Sequence, residues 1–333
     1  MMAAKWAFGL ALATLMVADG VASQSSPSPQ RQPTSVDRAN PTAVAIARGV
    51  AFLRTELLKG HNNGDATRAL LEAGARGYDI GDSLDDTLNF LKKPATWDQN
   101  KAPSGFDDKR LARVQFASAL AVAERHGKAA STDLAEAAKL LVADQAADGS
   151  WTLDQSQGLG SPATYGTLLA TWSARTSLIA SGMQPDNFTI VQADRWLRGQ
   201  TVENVFDASS LLLALDLSGD VMADGLRRNA LSLVRTGQAA NGGWGPYATA
   251  PPQVFDTAIA VLALSALNVE PRIARSTYRP EELLEAIAKG KAFIESQQRP
   301  DGSWPETTRP AGQDSYAQRI STTGWALLAL LAK

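Results

Sequence analysis

The chain is 333 residues long, 44% hydrophobic and 20% charged, carries a formal net charge of −2 and contains no cysteine. That composition supports a large buried core and excludes a disordered or fibrous chain, while the near-neutral charge supplies no basic field for nucleic acid or an anionic membrane. The lack of cysteine excludes disulfides, thiolate metal ligands and a lipid-modified cysteine.

At the start of the chain Lys5 precedes an apolar run over 6–18, followed by the small residues Val21, Ala22 and Ser23. This pattern predicts an export signal over 1–23, cleaved before Gln24, and therefore a periplasmic or secreted protein. The run is shorter than the roughly 20 apolar residues that cross a bilayer, so no integral membrane domain is expected after cleavage; a retained anchor is the alternative. Residues 24–42 are polar and rich in Pro and Ser, and predict a flexible linker.

From residue 43 onward, helical periodicity marks twelve stretches, at about 43–58, 65–75, 81–92, 108–126, 131–146, 163–181, 189–199, 205–217, 222–236, 254–267, 280–298 and 317–332. They fall into six consecutive pairs. In most pairs the first member is amphipathic, as in AEAAKLLVADQ or RRNALSLVRTGQ, and the second nearly all apolar, as in TAIAVLALSAL or TTGWALLALLA. An apolar helix has to be buried on most of its faces. Six such helices are expected in an inner ring and six amphipathic ones outside, giving an all-α fold, an α/α toroid of about six helical hairpins over 43–333. An open solenoid would leave the last helix exposed without a polar face.

One short pattern recurs after amphipathic stretches: Gln145-Ala-Ala-Asp-Gly-Ser-Trp151, Gln238-Ala-Ala-Asn-Gly-Gly-Trp244 and Gln298-Arg-Pro-Asp-Gly-Ser-Trp304. Such repetition marks a supersecondary unit used several times. Gly149, Gly242 and Gly302 are expected to end helices at positive φ, the tryptophans to fold back as flat packing surfaces, and the glutamine amides to satisfy loose backbone groups at neighbouring helix ends. With the helices that follow them, these segments resemble the QW repeats of the squalene–hopene cyclase and prenyltransferase superfamily, over about 43–333. The likeness weakens in the first two hairpins and in the fourth, where RWLRGQTVEN stands instead. It implies a six-hairpin α/α toroid, and no particular activity.

The cyclases of that superfamily protonate a hydrocarbon double bond with the middle acid of a DxDDTA motif, an acid that must stay protonated in a dry cavity. The most similar segment here, Gln253-Val-Phe-Asp256-Thr-Ala258, has Gln253 and Phe255 in place of the first acid and the donor, and keeps Asp256. A second, Ser83-Leu-Asp85-Asp86-Thr87, keeps the donor-like Asp85 but falls on an expected outer helix, where two acids also complement the macrodipole. Asp85, Asp86 and Asp256 are therefore the catalytic candidates. The prenyltransferase branch holds zinc with Asp, Cys and His, whereas this chain has no cysteine and only His61 and His126, so neither a metal nor a cofactor is expected.

Asp65, Asp107, Asp108, Asp207 and Asp256 stand at or near the starts of inner helices, as caps or as an acidic rim for a ligand. Tyr165, Trp172, Phe206, Phe255 and Trp325 lie on or beside inner helices and are candidates to line a chamber. Three functions follow. An exported binding or structural toroid would hold a small molecule or a protein without the superfamily's chemistry. A terpene-cyclase-type enzyme acting on an isoprenoid predicts a dry chamber and a carboxyl of raised pKa. A glycan-acting toroid predicts a wet groove where Tyr, Arg and carboxylate side chains converge. No nucleic-acid partner is expected.

Overall fold

A computed structural model describes residues 40–99, 108–153, 162–215, 221–269, 277–307 and 316–333, all within one unit spanning 33–333. The expected export signal, most of the linker and Asp107 lie outside the described residues. The helices are α1 (Pro41–Leu58), α2 (Gly64–Ala75), α3 (Asp85–Leu91), α4 (Lys109–Arg125), α5 (Ser131–Asp144), α6 (Pro162–Ala180), α7 (Phe188–Arg198), α8 (Val205–Ala214), α9 (Val221–Thr236), α10 (Val254–Val269), α11 (Pro280–Ser296) and α12 (Tyr316–Leu331). The first begins inside the expected linker, because Asn40 caps it by accepting from the Thr42 amide at 3.0 Å.

Burial follows the sequence pattern. In α5 the buried residues are Leu134, Ala137, Ala138 and Leu141, one stripe at i, i+3, i+4 and i+7, whereas every residue of α12 from Ile320 to Leu331 is buried. The apolar helices pack in the cyclic order α2, α4, α6, α8, α10, α12 and back to α2, so the ring is closed. Closure gives α12 a neighbour on each side, which its lack of a polar face requires. The amphipathic helices lie outside.

The pairing in space is staggered from the pairing in sequence. Helix α5 packs chiefly on α4, α9 on α8, α11 on α10, and α1 on α12, so each of these outer helices rests mainly on the inner helix before it. The reason lies in the connections: residues 126–130 join α4 tightly to α5, while the long segment from α5 to α6 contains the Gln145–Trp151 turn.

Those turns repeat their bonds. Trp151, Trp244 and Trp304 are at most 2% exposed, and their indole N–H groups donate to the carbonyls of Leu141, Val234 and Ile294 at 2.8, 2.7 and 2.6 Å. Their backbone amides donate to the hydroxyls of Thr171, Thr257 and Thr323 on the following inner helices. The amides of Gln145, Gln238 and Gln298 reach Thr189, Ala286 and Ala45 at 2.9, 3.0 and 2.8 Å, each on the next outer helix, and the last of these ties α11 back to α1. The acceptors are carbonyls within the first two turns of those helices rather than loose end groups. Nor do the glycines end helices: α5, α9 and α11 stop at Asp144, Thr236 and Ser296, well before Gly149, Gly242 and Gly302. Their φ values of 98°, 88° and 90° bend the turn beyond, and a Cβ at Gly242 would lie 2.6 Å from the Lys289 carbonyl.

Candidate functional site

The aromatic residues read as chamber candidates meet at the ring centre. Tyr165 and Trp172 come from α6, Phe206 from α8, Phe255 from α10 and Trp325 from α12. Trp325 lies 5.8 Å from Tyr165, 6.5 Å from Trp172 and 6.1 Å from Phe255, and Phe255 lies 5.7 Å from Phe206, between ring centroids. The expected single helix over 163–181 is broken at Gly166, where φ is 67° and ψ is 153°. A Cβ there would come within 2.9 Å of the Phe206 ring, so this glycine admits α8's aromatic side chain against α6.

Asp65, in the first turn of α2, enters this centre. Its Oδ2 accepts from Gln115 Nε2 of α4 at 2.8 Å and from the Ser321 hydroxyl of α12. Burial raises its pKa from 3.8 to about 6, against the opposing pull of Ser321, the Arg68 charge, Trp325 and Gln115. The Trp325 indole N–H is close enough to pull on the carboxylate but falls short of hydrogen-bond geometry. Burial, and next the Asp65 charge, hold the Tyr165 hydroxyl well above the usual phenol range; its oxygen lies 3.4 Å from Ser173 Oγ. A carboxyl of this pKa, beside Tyr165 and Trp325, changes protonation near neutral pH.

The other described acids stand as follows. Asp108 is the N-cap of α4, accepting from the Leu111 amide at 2.9 Å. Asp207 exchanges bonds with Asn204, the α8 cap, accepting from its amide at 2.6 Å and donating its backbone N–H at 2.8 Å. Asp256 is 1% exposed in the first turn of α10. Asp85 and Asp86 stand exposed in the first turn of α3, outside the ring, which removes them from the chamber. His126 caps the C-terminus of α4 and His61 lies in a loop beside Glu56. Among the described residues no group of three or more His, Cys, Asp or Glu side chains stands where it could hold a metal, and no helix is long and apolar enough to cross a membrane.

Arg68 was not among the sequence candidates. It follows Asp65 by one turn of α2, on the same face, and its guanidinium lies 5.1 Å from the Trp325 ring centroid and 5.6 Å from that of Trp172. A cation on an apolar inner helix was the available signal. Arg68 and Trp172 also border a cavity of about 310 Å³ between the C-terminal halves of α4 and α6, along with Ser118, Val122, Ser173 and Ser177.

No protein-family model and no curated protein matches the chain. Among solved structures it is similar to the type II terpene cyclase MstE from Scytonema, in two single-site variants determined with geranylgeranyl dihydroxybenzoate as substrate. The first is 16% identical with a TM-score of 0.53, covering 88% of this chain and 97% of that one. The second is 15% identical with a TM-score of 0.53, covering 90% and 98%. At such identity the likeness is one of fold, and the chain has a terpene cyclase-like all-α toroid.

Proposed function

We propose that the toroid holds an isoprenoid-like ligand at its centre and that Asp65, rather than Asp85, Asp86 or Asp256, is the acid that protonates it. The observation that carries this is the placement of one buried carboxyl of raised pKa beside Tyr165 and Trp325, whose rings continue into Trp172 and Phe255. Protonation of an alkene leaves a carbocation, and π faces stabilise a cation; Arg68 already rests against the Trp172 and Trp325 rings. The similar cyclase binds a geranylgeranyl chain, and the Gln–Trp turns support placing this chain with the QW-repeat superfamily.

A second reading is a binding or structural toroid without chemistry. It is favoured by the filling of the centre, since Phe255 and Trp325 are 0% exposed and Asp65 only 1%. That burial gives little support to a glycan, which needs a wet groove. The test is incubation of the purified protein with geranylgeranyl dihydroxybenzoate and with squalene at pH 5 to 7, with products separated by chromatography and mass spectrometry. Cyclised isomers of unchanged mass, lost in Asp65→Asn and retained in Asp85→Asn, are expected. Recovery of unaltered isoprenoid bound to the protein establishes the second reading instead. Export is part of the proposal, and a mature protein whose mass begins at Gln24 is its expected mark.

A further inference from the structure

Resting on the chamber assignment above, we propose that the cavity between α4 and α6 binds the oxyanion headgroup, phosphate or carboxylate, of an otherwise apolar ligand, with Arg68 as its principal contact.

Arg68 comes from α2 and borders the cavity beside Trp172, while Glu124, Arg125 and Ala180 belong to the last turns of α4 and α6, so the cavity runs from the aromatic centre toward the C-terminal end of the ring. Its volume of about 310 Å³ is at the small end of the range for small-molecule pockets. The Arg68 guanidinium carbon lies 5.1 and 5.6 Å from the centroids of two indole rings, and the side chain has neither hydrogen bond nor ion pair among the described residues. A cation–π contact leaves the N–H donors of a guanidinium without hydrogen-bond acceptors, and those donors match a phosphate or carboxylate in paired bonds. A half-buried cation with unused donors, bordering a cavity, is what an oxyanion site requires.

Hydroxyls add to it. Ser177 donates to the Ser173 carbonyl at 2.8 Å, so Ser118 is the donor across its 3.3 Å contact with Ser177 Oγ, and a ligand oxygen competes only with that long bond for the Ser118 proton. The other charges nearby are accounted for. Arg125 is paired with Glu72, Glu124 lines the cavity at its outer end, and Asp65 stands one turn before Arg68. Glu124 therefore opposes an anion, which supplies an independent handle. The apolar tail of the ligand meets Ala121, Val122, Trp172 and Ala180.

The experiment compares ligands with one tail and different heads: geranyl phosphate, geranic acid and geraniol, titrated calorimetrically into the full chain. At least tenfold tighter binding of one or both anions than of geraniol is expected, and the two anions distinguish phosphate from carboxylate. Arg68→Gln abolishes the difference while leaving geraniol affinity within about twofold, Arg68→Lys keeps part of it, and Glu124→Gln tightens the anions severalfold without moving geraniol. The Glu124→Gln arm reads the site even where Arg68→Gln unfolds the protein. Equal affinity for all three ligands, absence of binding by any, or an anion preference indifferent to both substitutions overturns the proposal. Because the readout is binding, a protein that cyclises nothing still tests it, and a cyclase without anion preference fails it alone.

Discussion

Two kinds of junction hold the outer ring together, and they differ where the sequence stops repeating. At α5–α7, α9–α11 and α11–α1, a buried tryptophan donates to a carbonyl of its own outer helix and a glutamine reaches the next. Between α3 and α5 the Gln–Trp turn is missing. Trp97, in the 3-10 segment Pro94–Gln99, fills that place at 2% exposure, packs 5.5 Å from Phe116, and leaves its indole N–H without a partner among the described residues. Arg113 bridges there instead, to Asp98 at 2.6 Å and Asp144 at 2.7 Å. The cavity lies on this same side, among α2, α4 and α6. The repeated turns give each indole a carbonyl acceptor, and the departure from them puts an ion pair in that place.

The sharpest way to break the contrast is at glycine. At Gly302, φ is 90° and a Cβ would fall against the Arg48 carbonyl of α1, whereas Gly77 has φ of 87° and open space around it. Gly302→Ala is expected to cost about 4 kcal/mol and Gly77→Ala only about 1 kcal/mol in chemical denaturation. Equal costs would mean that the closing junction is not tightly packed.

Proton linkage separates the regions by sign. Asp65 titrates at about 6 when folded against 3.8 as its ordinary value, so between those values only the folded chain holds the proton. Its contribution is fully present below 3.8 and is lost as pH rises through about 6, a change of about 3 kcal/mol at most. Asp148, lowered by the Ser150 amide and hydroxyl, and Asp301, lowered by Ser303 against the pull of burial, run the other way: their contributions are lost as pH falls below 3.8. Subtracting the stability profile of Asp65→Asn from that of the parent chain should isolate the first slope, and a flat difference between pH 4 and 7 would contradict it.

Smaller effects test the bonds themselves. Trp304→Phe removes the indole bond to the Ile294 carbonyl, which keeps only the Gln297 amide, and is expected to cost about 2 kcal/mol, while Trp97→Phe removes a donor with no bond among the described residues and should cost less than about 1 kcal/mol. Gln238→Ala should cost about 1 kcal/mol for its links to Gly242 and Ala286, and Gln200→Ala, whose amide reaches Trp196 of the helix that ends just before it, about half that. Thermal melts of the four variants rank them.

Much of the fold was legible because burial in a two-ring toroid writes itself into periodicity: α5 carries one apolar stripe and α12 carries apolar residues all round. The site was less so. Phe206, Phe255, Tyr165, Trp172 and Trp325 were readable as inner residues, but one apolar helix looks like another, and nothing in the sequence says which rings touch. Asp65 resembled Asp108 and Asp207, because an acid in a first turn has the same local signature whether it caps or faces inward.

Local pattern by itself determined the helices, the ring arrangement and the recurring turns, since each depends on residues within a few positions of one another. Only the tertiary structure decided the staggered packing of outer on inner helices, the kink at Gly166, the inward course of Asp65 and the approach of Arg68 to two indoles. Those depend on partners up to 256 residues away, as Ser321 is from Asp65. Burial and charge at such a point are properties of the assembled neighbours, which no local stretch of chain encodes.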